Sequence, residues 1–243
     1  MAILHIDRFS DALGKMTALR VVLPEKPAGP LPVVYQLHGL SDDHSAWTRR
    51  SSIERYADRF GIMVVMPDGG RGWYSDAVRA PRARHETHIL ETVAYIDRTF
   101  RTDARVQMRG IGGLSMGGYG ALKLALKHPL LFGSVTAHSS AADVAKMVAD
   151  KGFPEEFPLL FGDALAPADD IFALAARPGP RPRVRFDCGT EDFTLTANRA
   201  LHAHLVKLDF PHFYQEYPGA HNWEYWDQHV VEALEFHHQA FVP

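Results

Sequence analysis

Short runs of hydrophobic residues recur along the chain, and longer segments with a helical spacing of hydrophobic positions separate them. Most of the runs are nearly continuous in valine, isoleucine, leucine and methionine, which is typical of strands buried on both faces of a parallel sheet. The strands predicted on this basis are residues 18–23, 33–37, 62–66, 106–111, 134–137, 184–187 and 213–217.

Between these strands, hydrophobic residues recur at positions i, i+3, i+4 and i+7, as on the buried face of an amphipathic helix. One helix, at 117–128, is apolar on almost every side and is followed by Pro129, so we expect it in the centre of the molecule. The predicted helices are residues 45–60, 85–100, 117–128, 194–208 and 223–241. Alternating strands and helices predict an α/β fold with a mostly parallel, doubly wound sheet and right-handed crossovers.

Two segments depart from this alternation. Residues 3–9 and 18–23 flank a turn-rich piece at 10–14, which predicts an antiparallel hairpin on the edge of the sheet. Residues 143–182 are rich in proline, alanine and aspartate and follow the end of a strand. They form either a tethering insertion or a cap over a pocket. Residues 1–243 are otherwise expected to be one domain.

Composition narrows the class of protein. The chain has 243 residues, of which 46% are hydrophobic and 23% charged, as in a globular domain, and its net charge of −3 gives no indication of a nucleic-acid partner. The single cysteine, Cys188, excludes an intramolecular disulfide and a cysteine-based zinc cluster. No apolar stretch approaches the ~20 residues of a membrane span, and the N-terminus lacks the pattern of a secretory signal. We therefore expect a cytoplasmic protein with no membrane partner; a homo-oligomer stays open.

The strongest chemical signal is a nucleophile elbow. Residues 113–117 read Gly-Leu-Ser-Met-Gly, a G-x-S-x-G pattern, with a predicted strand before it and a predicted helix after it. The glycines leave room for a tight turn, and the helix N-terminus favours negative charge beside the serine. Ser115 is therefore the predicted nucleophile.

A serine hydroxyl needs a base, and in this fold the acid and the base follow later strands in that order. Asp192 and Glu191 lie in the turn after the strand at 184–187, and Asp192 is preferred. His221 lies in the short loop between the last strand and the last helix. The oxyanion is expected to be bound by the backbone N–H groups of Met116 and Leu40, since Leu40 follows the strand at 33–37 in the loop His-Gly-Leu-Ser.

Four motifs in order resemble the esterase D, or “Putative esterase”, family of α/β hydrolases. They are the elbow at 112–121, the loop at 38–47, and the turns at 189–193 and 219–226. Residues 66–69 with 72–76, and the opening at 10–16, also resemble this family. The resemblance covers nearly the whole chain, and residues 72–74, Gly-Trp-Tyr, look most like the tributyrin-type carboxylesterase branch. It implies the α/β-hydrolase fold, the triad Ser115, Asp192 and His221, and oxyanion donors at Leu40 and Met116.

The predicted activity is hydrolysis of small, short-chain acyl esters through an acyl-enzyme, with no cofactor and no metal. Large aromatic residues are expected to line the substrate pocket. Those residues are Trp47, Trp73, Tyr74, Trp223 and Trp226. Two alternatives use the same site. One is an acyltransferase, and the other is an S-formylglutathione-type thioesterase, for which Arg49, Arg50, Arg71 and Arg79 could supply positive charge.

Overall fold

A computed structural model describes residues 1–27 and 29–241, and within them the chain forms one sheet of eight strands in the order β1-β2-β4-β3-β5-β6-β7-β8. The strands are β1 Ala2–Ser10, β2 Lys15–Leu23, β3 Val33–Leu37, β4 Met63–Pro67, β5 Arg109–Leu114, β6 Ser134–His138, β7 Arg183–Gly189 and β8 His212–Tyr217. The β1–β2 and β2–β4 pairs are antiparallel, and the pairs from β4 to β8 are parallel. This sheet confirms the predicted mostly parallel α/β-hydrolase fold with its antiparallel N-terminal hairpin.

Helices cover both faces of the sheet. They are α1 Ala46–Arg50, α2 Ile53–Phe60, α3 His85–Thr99, α4 Met116–Lys127, α5 Val144–Ala149, α6 Phe157–Leu160, α7 Ile171–Ala175, α8 Leu195–Lys207 and α9 Trp223–Ala240. Alternate residues of the central strand β3 enter opposite cores: Tyr35 belongs to one hydrophobic cluster and Val34 to the other. No helix in residues 1–27 and 29–241 combines the length and the apolar character needed to cross a bilayer.

The register of the parallel strands brings the loops that carry the candidate catalytic residues to one edge of the sheet. Leu37 pairs with Gly113, Leu114 with His138, His138 with Asp187, and Gly189 with Tyr217. Because these positions are at or near the carboxyl ends of the strands, the loops after β3, β5, β7 and β8 begin side by side. Sites in open α/β sheets form at this edge.

Two predicted elements differ from the structure. The helix predicted at 45–60 is two helices, because Ser51 is extended and the Ser52 N–H donates to Asp227 of α9 at 2.7 Å. The strand predicted at 106–111 begins later, since residues 106–108 form a 3₁₀ turn and the pairing with β3 starts at Arg109. The strand then continues to Leu114, directly before the elbow.

The segment 143–182 is packed against the rest of the domain. The Tyr119 hydroxyl of α4 donates to the Asp169 carbonyl at 2.8 Å, and Lys127 Nζ lies 3.0 Å from the Asp169 carboxylate. The Val78 N–H donates to the Leu160 carbonyl at 3.1 Å. Several of the segment's hydrophobic side chains are buried, namely Phe157, Leu160, Phe161, Ile171 and Leu174.

Candidate active site

Ser115 occupies the junction between β5 and α4 in a conformation that non-glycine residues rarely adopt, with φ 52° and ψ −116°. Its N–H donates to the His138 carbonyl at 2.9 Å. Its carbonyl accepts from the N–H groups of Tyr119 at 3.0 Å and Ala141 at 3.1 Å. These backbone hydrogen bonds hold the strained residue in place and point its side chain out of the sheet edge.

The two glycines of the elbow are required by close backbone approach. A Cβ on Gly113 would lie 2.4 Å from the Gly117 carbonyl oxygen, and a Cβ on Gly117 would lie 2.6 Å from the carbonyl oxygens of Leu37 and His38. Neither contact can be relieved by moving a side chain, because the opposing atoms belong to the backbone. The sequence pattern therefore reports a real steric limit at both positions.

The structure brings Ser115, His221 and Asp192 together. His221 Nε2 lies 3.0 Å from Ser115 Oγ, and His221 Nδ1 lies 3.0 and 2.9 Å from the two oxygens of Asp192. A carboxylate can only accept, so Nδ1 carries the proton and Nε2 is free to accept the serine proton. This is the geometry that general-base activation of a serine needs.

Asp192 is held as a charged acceptor. Its side chain is fully buried, and the Thr194 N–H and hydroxyl both donate to Oδ1 at 2.8 Å. Burial alone would raise the pKa of Asp192, but the hydrogen bonds from His221 and Thr194 outweigh it and hold that pKa below its ordinary value. Glu191, the other carboxylate of this turn, is exposed, and in the described ranges the His221 ring is hydrogen-bonded to Asp192 and Ser115 only.

The loops that carry the acid and the base are bonded to each other. The Glu191 N–H donates to the Gly219 carbonyl at 2.9 Å, and the Thr190 N–H donates to the Tyr217 carbonyl at 2.8 Å. A Cβ on Gly189 would lie 2.3 Å from the Gly219 carbonyl oxygen. These contacts fix the separation between the loop of Asp192 and the loop of His221.

Leu40 and Met116, the predicted oxyanion donors, both line the cavity that holds Ser115. Within the described ranges, neither backbone N–H donates a hydrogen bond to another backbone group. Met116 is the first residue of α4, so its N–H belongs to the unpaired first turn of a helix, where anionic groups are favoured. Both groups are therefore available to a ligand oxygen.

The cavity has a volume of about 820 Å³ and combines an apolar wall with a few polar groups near Ser115. Of the aromatic residues expected to bind substrate, Trp73, Trp223 and Trp226 line it. The structure does not bring Trp47 and Tyr74 into the cavity. The Trp47 indole donates to the Leu37 carbonyl at 3.0 Å behind Trp223, and the fully buried Tyr74 hydroxyl donates to the His38 carbonyl at 2.9 Å.

Two residues next to His221 and Asp192, namely Phe193 and Thr194, were absent from the predicted site. The Phe193 ring lies 4.3 Å from the His221 ring, and the expected Trp226 meets the same imidazole edge-on at 5.0 Å. Thr194 orients Asp192. The sequence carried a signal for Thr194, since an aspartate two residues before a threonine can accept its N–H in an Asx turn.

In the described part of the chain, no group of three or more His, Cys, Asp or Glu side chains is arranged to hold a metal ion.

Comparison with known proteins supports the same chemistry. The sequence model of the “Putative esterase” family matches residues 10–237. An acetyl esterase of Caldicellulosiruptor saccharolyticus is 29% identical, over 97% of this chain and 98% of that protein. The solved structure of the fluorophosphonate-binding serine hydrolase F of Staphylococcus aureus superposes with a TM-score of 0.89 at 25% identity, covering 98% of both chains. An S-formylglutathione hydrolase of the same organism superposes with a TM-score of 0.85 at 26% identity, again over 98% of both chains.

The family match covers most of the chain, and its relatives are esterases and serine hydrolases with this fold. The chain is therefore an ester hydrolase that belongs to the “Putative esterase” family of α/β hydrolases.

Proposed function

We propose that this enzyme hydrolyses small, short-chain carboxylic esters through an acyl-enzyme on Ser115, with His221 as general base and Asp192 as its partner. The observation that carries the proposal is the continuous hydrogen-bonded chain from Asp192 through His221 to Ser115 Oγ at the wall of the cavity. No other side chain is required for proton transfer, because the imidazole already contacts both the nucleophile and the acid.

In the first half-reaction, His221 Nε2 takes the proton of Ser115 as Oγ attacks the ester carbonyl carbon. Asp192 stabilises the imidazolium that forms, without taking the proton. The carbonyl oxygen becomes negatively charged and accepts hydrogen bonds from the N–H groups of Leu40 and Met116, each worth roughly 3 kcal/mol in such sites. His221 then protonates the alcohol oxygen as the carbon–oxygen bond breaks.

In the second half-reaction, water takes the place of the alcohol. His221 accepts a proton from the water as its oxygen attacks the acyl carbon, and the same two N–H groups receive the second oxyanion. The proton returns to Ser115 Oγ as the ester bond to the enzyme breaks, and the carboxylic acid leaves. An alcohol entering at this step would give acyl transfer, so product analysis in the presence of methanol separates the two outcomes.

The cavity supports an uncharged ester better than a polyanionic thioester. Among the four arginines that could have attracted an anionic substrate, Arg71 and Arg79 are paired with Glu156 and Asp163, and only Arg50 lines the cavity. Asp42, Asp143 and Asp150 also line the cavity, and Lys146, its other cationic residue, is paired with Asp150. A comparison of kcat/KM for an oxygen ester and for an S-acyl glutathione decides between these substrates.

The cytoplasm is the proposed location on the ground of the single, unpaired Cys188.

The direct test uses Ser115→Ala with p-nitrophenyl acetate and butyrate. We expect kcat to fall by at least about a thousandfold, because loss of the nucleophile leaves only binding and the oxyanion site. A fluorophosphonate probe should label the wild-type protein and leave the variant unlabelled.

Ser140→Ala is the matched control, since Ser140 is buried next to α4 and its hydroxyl has no hydrogen-bond partner in the described ranges. It should keep its activity and its labelling. Wild-type turnover retained by a folded Ser115→Ala protein would rule out the proposed nucleophile.

A further inference from the structure

The imidazole of His38, which has no role in the steps above, sits directly behind the oxyanion loop. Only 1% of the residue is exposed. Both ring nitrogens contact backbone groups: Nδ1 lies 2.7 Å from the carbonyl oxygen of Gly39, and Nε2 lies 2.9 Å from the backbone nitrogen of Gly69. His38 therefore joins the loop after β3 to the loop after β4.

These two partners settle which nitrogen of His38 carries the proton. The Gly69 N–H can only donate, so Nε2 must accept and carries no proton. The Gly39 carbonyl can only accept, so Nδ1 must be the protonated nitrogen. The Asp68 carboxylate lies 3.5 Å from Nε2, too far for a hydrogen bond that competes with the Gly69 N–H. The ring thus donates through Nδ1 to Gly39 and accepts through Nε2 from Gly69.

The hydrogen bond to Gly39 acts on the oxyanion donor itself. The Gly39 carbonyl and the Leu40 N–H belong to one planar trans peptide unit, in which the two groups point in opposite directions. Holding the carbonyl towards the buried imidazole therefore turns the N–H away from the core and towards the cavity that Leu40 lines. We propose that His38 is a positioning residue that aims the Leu40 N–H at the substrate oxyanion.

A second contact limits how much of this orientation depends on His38. The Asp42 N–H also donates to the Gly39 carbonyl, at 3.2 Å, within the turn itself. The imidazole makes the shorter bond, but the turn retains one donor when the imidazole is lost. We therefore expect a loss of about tenfold in rate, smaller than the 10²–10³ that follows removal of an oxyanion donor.

Two substitutions test the roles of the two His38 ring nitrogens one at a time. In His38→Asn the side-chain amide can occupy the place of Nδ1 and donate to Gly39, whereas the contact to Gly69 is lost. In His38→Gln the amide reaches the place of Nε2 and can accept from Gly69, whereas the donor to Gly39 is lost. A role in positioning the oxyanion donor predicts that His38→Gln is slow and that His38→Asn recovers most of the rate.

The measurement is the pre-steady-state burst of p-nitrophenol, which gives the acylation rate constant and the substrate dissociation constant separately. His38→Gln should lose about tenfold in acylation rate with a dissociation constant within about twofold of wild type, because the oxyanion exists only after attack. Equal losses in both variants, or rates that follow their melting temperatures, would show that His38 only stabilises the fold.

A second measurement needs no variant. A long-range ¹H–¹⁵N correlation spectrum of the wild-type protein reports the tautomer of each histidine, and His38 should have a protonated Nδ1 and a bare Nε2. An Nε2–H signal for His38 would overturn the proposal. The inference rests on the proposed function, and the two fail differently: wild-type protein without ester turnover contradicts the function, whereas active wild-type protein with indistinguishable variants contradicts only the role of His38.

Discussion

Tyr74 supports the active site from behind its wall. A Cβ added to Gly69 or to Gly120 would come within 2.4 Å of its ring, so the ring is clamped between two backbones. Its backbone has a φ of 51°, its carbonyl accepts from Lys123 Nζ at 2.6 Å, and its hydroxyl donates to the His38 carbonyl. The side chain thereby transmits the position of α4 to the loop that carries Leu40.

Removing the Tyr74 hydroxyl should cost both stability and rate. Tyr74→Phe leaves the buried His38 carbonyl without its donor, which we expect to lower the free energy of unfolding by about 1–2 kcal/mol and to slow ester hydrolysis several-fold. Tyr35→Phe is the matched control, because the Tyr35 hydroxyl is equally buried but has no hydrogen-bond partner in the described ranges. Urea unfolding and p-nitrophenyl acetate turnover of both variants check this. Indistinguishable effects would mean that the Tyr74 hydroxyl bond contributes nothing.

That Ser115, Asp192 and His221 meet was predictable because chain order and strand ends define where they must lie. Ser115, Asp192 and His221 each follow a strand that the hydrophobic pattern reveals. The direction of a side chain within a loop has no such signal. Tyr74 and Trp73 are adjacent and both have φ of 51°, yet only Trp73 lines the cavity. That difference depends on Gly69, Gly120 and Lys123, whose contacts with Tyr74 exist only in the folded chain.

At the scale of elements, α4 is anchored by one buried charge. Lys123 is fully buried in this apolar helix, and its Nζ donates to the Tyr74 carbonyl, to Ser75 Oγ at 2.9 Å and to Glu86 of α3 at 2.9 Å. Burial would raise the pKa of Glu86, but His128, Lys123 and Lys127 together hold it well below its ordinary value. The helix that presents Ser115 is thus fastened to its neighbours by a satisfied ionic cluster.

Breaking this cluster should be costly. Lys123→Met keeps the length of the side chain but removes the charge that Glu86, Ser75 and the Tyr74 carbonyl share, so we expect a loss of about 3 kcal/mol in the free energy of unfolding. Lys146→Met makes the same change in an exposed Lys146–Asp150 pair and should leave stability unaltered within error. Chemical denaturation of the two variants measures the contrast. A stability loss that is similar for both would contradict the structural role of Lys123.

Elements were predicted well where a local pattern decides them and less well where a distant residue does. The hydrophobic spacing continues through residues 45–60, and it gives no sign that Asp227, far along the chain, binds the Ser52 N–H and interrupts the helix. Similarly, the start of β5 at Arg109 depends on where β3 can pair with it rather than on the residues themselves.

At the scale of the whole molecule, buried titratable groups couple folding to pH. His237 of α9 is fully buried on the sheet, where its ring contacts Ser134 Oγ at 2.7 Å and Thr136 Oγ1 at 3.1 Å. Burial, together with the charges of Arg185 and His138, lowers the pKa of His237 to about 3. Burial likewise lowers the pKa of His88 to about 4, with Arg8 and His85 adding to the effect.

These shifts predict a loss of stability in acid. The unfolded chain binds a proton at each histidine near pH 6.5, whereas the folded protein does so only near pH 3 at His237 and pH 4 at His88. Stability is therefore complete above about pH 6.5 and falls as the pH decreases, by up to about 1.4 kcal/mol per pH unit for each histidine.

Urea unfolding of His237→Gln between pH 4 and pH 7 tests this. The variant cannot take up the proton, so the slope of its unfolding free energy against pH should decrease by the equivalent of about one proton. Val230→Ala, in the same helix, creates a cavity without removing a titrating group, so it should lower the whole curve and leave its slope unchanged. A slope that His237→Gln does not alter would show that this histidine does not set the acid response.

The anchoring of the segment 143–182 has a consequence for how substrate arrives. Its hydrophobic side chains lie in the main core, and Asp169 is bonded to both Tyr119 and Lys127 of α4. Swinging this segment aside would expose that apolar surface and break an ionic contact, so we expect the rim around Ser115 to keep this shape when substrate binds. An ester dissolved as single molecules would then enter a cavity that is already open. We expect no activation of the enzyme at an oil–water interface. The fixed walls, rather than a gate, then set the upper limit on the length of acyl chain that fits.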